Sequence, residues 1–143
     1  NHNRKLKKGK KLMTHKNLSL IIEGSKDGKV WGRTKYQDDL MVDFAENQDL
    51  LIKKMKKLLK DGYSLPPEKV KFEIKYDISS LFQHKSFLNI SAIANEVGIN
   101  PTLMSQYVSG AKNPSSDRVK KIEMVINQLG TQLRDIKLAA AVD

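Results

Sequence analysis

The sequence predicts an α+β protein of two units, a small β-β-β-α-β unit over residues 17–76 and an all-α unit of five helices over residues 77–143. Two observations carry this. Up to Tyr76 the apolar residues mostly fall at every second position, the period of a half-buried strand, apart from one stretch with helical spacing. Beyond Tyr76 the alternation stops, and helical segments are punctuated by single Gly and Pro residues.

In the first unit Leu18, Leu20 and Ile22 alternate as a strand, and Ser25-Lys26-Asp27-Gly28 is a turn signal. A second strand sets Val30, Gly32, Thr34 and Tyr36 against Trp31, Arg33 and Lys35. Gln37-Asp38-Asp39 turns the chain, and Leu40, Val42 and Phe44 form a third alternating set. Asn47 is placed to cap a helix, with Asp49 in its first turn favourable to the dipole. That helix is expected to reach Lys60 and to end at Asp61-Gly62. Leu51, Ile52, Met55, Leu58 and Leu59 make its apolar stripe, while Lys53, Lys54, Lys56, Lys57 and Lys60 face away. Leu65-Pro66-Pro67 is a loop, and Val70, Phe72, Ile74 and Tyr76 alternate as a fourth strand. A sheet covered on one face by the helix would bury positions such as Leu18, Val42 and Phe72 against Leu51, Met55 and Leu58. About sixty residues make a thin core, so this unit is expected to need a partner surface or a dimer mate.

In the second unit Asp77 is expected to cap a helix to His84, with Ile78, Leu81 and Phe82 inward. Asn89 or Ser91 caps the next, whose apolar face is Ile90, Ile93, Ala94 and Val97, and Gly98 closes it. Asn100-Pro101 opens a third helix, a cap residue followed by Pro at the first helical position, where no backbone donor is lost. Gly110 ends that helix. Ser115 or Ser116 caps a fourth, carrying Val119, Ile122, Val125, Ile126 and Leu129 and ended by Gly130. Thr131 to Leu138 forms a last short helix or strand.

The formal net charge of +10 is unevenly spread. Residues 1–16 hold seven Lys/Arg and no acids, whereas 17–76 carry twelve against ten and 77–143 seven against six. The basic excess therefore belongs mainly to a short tail without apolar periodicity, expected to be disordered. It reads either as an arm that lies along phosphates or, preferably, as leader sequence without a role. No apolar run is long enough to cross a bilayer, and no segment has the layout of a secretory signal. The chain has no cysteine, which excludes disulfides and thiolate metal sites and suits a cytoplasmic location.

The stretch from Ile90 to Gly110 carries the functional signal. Two short helices are joined by Val97-Gly98-Ile99, with Gly98 allowing the positive φ of a sharp turn and Ala94 small where the helices approach. Met104 and Tyr107 or Val108 face inward. Asn100, Pro101, Thr102, Leu103, Ser105, Gln106 and Ser109 lie on or near the outer face, and short polar side chains of this kind fit a major groove.

Through Ala94, Gly98, Met104, Tyr107, Gly110 and the Asn113-Pro114 restart, residues 77–130 resemble the helix-turn-helix of phage repressor/Cro and xenobiotic-response-element-type regulators. The resemblance implies base contacts at Pro101, Thr102 and Gln106, and phosphate contacts at Asn100, Ser109, Lys112 and Asn113. Pro101 departs from the polar reader common at that place. The third helix also lacks Lys and Arg, so phosphate contacts would rest on dimerisation or on the tail. The first unit, by its element order and the charged helix after Phe44-Ala45-Glu46-Asn47, resembles the HicB-type antitoxin domain. The Pro-Gly-rich segment usual between strands in that family is replaced here by Asp38-Asp39. The resemblance implies a homodimeric repressor that binds double-stranded DNA, takes a small ribonuclease toxin on its first unit, and regulates its own operon.

Asp38, Asp39 and Asp43 are read as turn and outward residues rather than a metal site, and His2, His15 and His84 as scattered surface residues. Trp31 is read as packing before partner hot spot, and the lysines of residues 53–60 as a solvated face. No nucleophile, paired carboxylates or phosphate loop is visible, so neither catalysis nor a cofactor is assigned. Two alternatives remain: an interaction module that does not read DNA, and a nucleic-acid enzyme using Asp38.

Overall fold

The computed structural model describes residues 14–142. The fold is α+β, a four-stranded mixed sheet with one helix followed by a helical unit. The chain divides into two compact units between Ser80 and Leu81. This division lies beyond the expected one at Asp77, because the Asp77 N–H bonds the Ile22 carbonyl at 3.1 Å and ties the following residues to the sheet. The expectation of a disordered tail falls on residues outside those described, except at its end, where Lys16 already pairs with Val70.

The first unit comprises β1 (Lys16–Glu23), β2 (Val30–Tyr36), β3 (Asp39–Ala45), α1 (Gln48–Tyr63) and β4 (Val70–Tyr76), with a single 3-10 turn at Pro67–Lys69. The strand order is β3-β2-β1-β4. The two hairpin pairings are antiparallel, whereas β1 and β4 are parallel. Parallel pairing needs a crossover, and α1 supplies it. Leu51, Met55 and Leu59 of α1 are fully buried, and Leu20, Ile22 and Ala45 join the first two in one core cluster. Gly32 makes this close approach possible: a Cβ there would lie 2.8 Å from Leu51 Cδ2.

The structure corrects the parity of β3. Cross-strand neighbours share a face, and Thr34, Gly32 and Val30 lie opposite Met41, Asp43 and Ala45. That row faces α1, and Met41 packs on the core. Leu40 and Val42 are instead 63% and 50% exposed. The cause is the hairpin loop, which has two residues, Gln37 and Asp38, both at positive φ, where the sequence reading assigned three. One residue of slip moves every side chain to the other face. Leu58 is likewise exposed, and Leu59 takes its place in the core.

Helix α1 also passes its expected end, continuing through Gly62 to Tyr63. Ser64 takes the left-handed cap at φ 53, and Leu65 is buried with Leu59 and Val70. This apolar contact across the helix end outweighs the glycine signal.

In the helical unit and its approach lie α2 (Ile78–His84), α3 (Ile90–Val97), α4 (Pro101–Ser109) and α5 (Ser116–Arg134). Four helices therefore follow β4 among the described residues, rather than the expected five. Gly130 does not end α5, and residues 135–142 add no helix or strand. An interior glycine costs about 1 kcal/mol relative to alanine, too little by itself to break a helix of 19 residues.

Candidate nucleic-acid interface

Helices α3 and α4 are short, and each is fixed at both ends by its own residues. Asn89 accepts a hydrogen bond from the Ala92 N–H at 2.9 Å and caps α3. Gly98 closes α3 at φ 84, and its N–H and that of Ile99 both donate to the Ala94 carbonyl. Asn100 Oδ1 then accepts from the Thr102 N–H at 2.7 Å, opening α4 with Pro101 at its first position. Gly110 closes α4 at φ 81. The turn between the helices is thus three residues long, and the N–H groups of Gly98, Ile99 and Thr102 around it all have partners.

Burial orients the pair. Ile93 and Ala94 of α3 and Met104 and Tyr107 of α4 are buried together with Ile122 of α5. Helix α3 packs against both α4 and α5, and the bare Ala94 side chain permits the close approach. With Met104 and Tyr107 turned in, α4 leaves Pro101, Thr102, Ser105 and Ser109 exposed.

The residues assigned by resemblance divide accordingly. Pro101, Thr102 and Ser109 share the exposed face, and Gln106 lies half-buried on its flank. Asn100 uses its side-chain oxygen for the cap, leaving its amide nitrogen as the group able to donate to a phosphate. The Ser109 hydroxyl donates to the Gln106 carbonyl at 3.2 Å and accepts from the Ala111 N–H at 3.4 Å, so its proton is already engaged. Lys112 and Asn113 are exposed in the loop after α4, and the Lys112 N–H bonds the Gln106 carbonyl at 3.2 Å.

Two groups received no role from the sequence reading. Ser105 lies at the centre of the exposed face, one turn from both Thr102 and Ser109, as its spacing gives. The first turns of α5 carry Arg118, Lys120 and Lys121, with both lysines exposed. Arg118 sits where the helix dipole disfavours a cation, and that was the available signal.

The acidic residues form no competing centre. Asp39 accepts from the Tyr63 hydroxyl, which raises the Tyr63 pKa above its usual value of 10.0. Asp38 meets Lys35 at 3.6 Å, and Asp43 meets Lys54 at 3.2 Å. Among the described residues no cluster of three His, Cys, Asp or Glu is arranged to hold a metal ion. Among the described residues no helix is long and apolar enough to cross a membrane. The chain matches no family model, no curated protein and no solved structure.

Proposed function

We propose that this chain is a sequence-specific repressor that binds double-stranded DNA through α3, the turn at Gly98 and α4, acting as a repressor-type helix-turn-helix. The observation that supports it most is the exposed face of α4. It is uncharged, built of short side chains, and held rigid by a cap at each end and by the buried Met104 and Tyr107. Thr102 and Gln106 are the proposed base readers, with Pro101 in apolar contact. Lys112, Asn113 and the Asn100 amide are the proposed phosphate contacts. In the same reading the β-β-β-α-β unit is a HicB-like antitoxin domain that binds a small ribonuclease toxin, and the protein regulates its own operon.

Fluorescence anisotropy with DNA from upstream of the native gene tests the reading. Gln106→Ala should cost about 1–3 kcal/mol at one base position and relax the preference there. Equal affinity for all sequences, before and after the change, would end the base-reading claim.

Two observations favour a second reading, an interaction module that does not read DNA: α4 carries no Lys or Arg, and the Ser109 hydroxyl is engaged within the helix end. The two readings differ in salt dependence. Phosphate contacts give a steep negative slope of log affinity against log salt, and their absence gives a flat one.

A further inference from the structure

Helix α1 covers the face of the sheet that carries Leu20, Ile22 and Gly32. The alternate residues form the other face, where the pairings set Val42, Arg33, Ile21 and Lys75 in one row across all four strands. The open face of a two-layer unit is ordinarily polar, but this one carries apolar side chains. Leu40 and Val42 stand exposed on β3, with Trp31 and Phe44 half-buried beside them.

Two features of this face point to the same kind of occupant. The first is an aromatic platform held in place. Trp31 and Phe44 are cross-strand partners, with ring centres 4.6 Å apart and planes tilted by 31°. The Trp31 indole N–H donates to Asp27 at 3.0 Å, which fixes the orientation of the ring. The ammonium groups of Lys29 and Lys54 each stand 4.8 Å from the Phe44 ring centre. Nucleobases of any sequence stack on aromatic rings of this kind.

The second feature is the distribution of charge. Both carboxylates of β3 lie on the helix side, Asp39 engaged by Tyr63 and Asp43 by Lys54. The open face holds Arg33, Lys35, Lys71 and Lys75 against Glu23 and Glu73, and Arg33 already engages Glu23 at 3.2 Å. Lys71 and Lys75 are exposed and meet no carboxylate among the described residues. From Trp31 to β4 is two strand spacings, about 10 Å, and the two lysines lie about 13 Å apart along that strand. An occupant that is both flat enough to stack and anionic along its length satisfies both features.

We infer that the open face of the sheet binds single-stranded nucleic acid, with bases stacked on Trp31 and Phe44 and phosphates held by Lys71 and Lys75. In a duplex the bases are already stacked on one another, so only a single strand can use the platform. The inference is separate from the reading of duplex DNA by α4.

Trp31 is the one tryptophan of the chain, so its emission reports on this face. Titrating the full chain with a uridine oligonucleotide of about ten residues should quench it to saturation. The Lys71→Gln, Lys75→Gln double variant should make the log affinity against log salt slope shallower by about 1.4, since each phosphate contact on a single strand contributes about 0.7. With a labelled oligonucleotide read by anisotropy, Trp31→Leu should weaken binding about fivefold or more, and Trp31→Phe should recover most of it. Thr102→Ala and Gln106→Ala should change none of these values, so a failure of the duplex reading is told apart from a failure here. Absence of quenching would overturn the proposal. So would an affinity and slope that the lysine and Trp31 variants leave unchanged, which would place the oligonucleotide elsewhere on the chain. Quenching by polyglutamate as strong as that by the oligonucleotide would overturn it in favour of an acidic protein partner.

Discussion

The N–H of Ile99 donates to the carbonyl of Ala94 at 3.0 Å, spanning the left-handed Gly98 between them. This bond sets the direction in which the chain leaves α3, and through it the direction of α4. Gly98 is needed for its φ and not for space, since a Cβ there would meet nothing within 4 Å. Gly98→Ala is expected to destabilise the fold by about 1–2 kcal/mol, and Gly98→Asn by less, because asparagine tolerates this conformation better. Urea denaturation measures both. Equal stability of the three proteins would contradict the assignment.

Gly32 is needed for the opposite reason. Its Cβ would lie 2.8 Å from Leu51 Cδ2 and 3.2 Å from Leu20 Cδ1, both side chains being fully buried. Gly32→Ala should therefore lose about 1–3 kcal/mol through overpacking. A Gly32→Ala, Leu51→Ala double variant should lose less than the sum of the single changes, which thermal unfolding can establish.

The β2–β3 hairpin is closed by Gln37 and Asp38 at φ 49 and 68, a pair of values for which Asn-Gly is the favoured sequence. Replacing the two residues by Asn-Gly should stabilise the protein by about 0.5–1 kcal/mol. The Lys35–Asp38 ion pair lost in the exchange lies in solvent and contributes little. A lower midpoint in urea for the exchanged protein would count against the loop geometry.

Edge strand β3 is guarded at Phe44. Its N–H donates to the Asp43 carboxylate at 2.8 Å and its carbonyl accepts from Lys54 Nζ at 2.6 Å, so side chains occupy both groups. Removing the guard with Lys54→Ala should leave stability within about 1 kcal/mol while raising the tendency to associate through the edge. Light scattering during mild heating is the readout. Identical scattering from wild type and variant would remove the guarding role.

Asp27 accepts hydrogen bonds from the Ser25 hydroxyl, the Trp31 indole N–H at 3.0 Å and the Lys29 N–H at 2.9 Å. These bonds lower its pKa from 3.8 to about 2. A depressed carboxyl pKa contributes stability that is present above the unfolded value and lost as pH falls through the folded one. Between about pH 4 and pH 2 the β1–β2 turn should therefore loosen and Trp31 emission should change. Asp27→Asn should flatten that transition, and a carboxyl titrating near 3.8 in the folded protein would refute it.

Much of this architecture was legible in the amino-acid order alone. The strands around Leu20, Thr34 and Ile74, the caps at Asn47, Asn89 and Asn100, and the glycines at 98 and 110 are local events. They depend on neighbours within a few residues, which the sequence displays directly. The α+β class follows from them. What only the tertiary structure decided depends on contacts between distant residues. The face that β3 turns to the helix was set by a loop one residue shorter than its composition suggested, which exposed Val42 and drew Met41 inward. The end of α1 was set by Leu65 joining Leu59 and Val70 in one apolar cluster. The outward face of α4 shows both contributions: its residues and spacing are in the sequence, but the half-burial of Gln106 and the engagement of the Ser109 hydroxyl arise only once the helix end is folded.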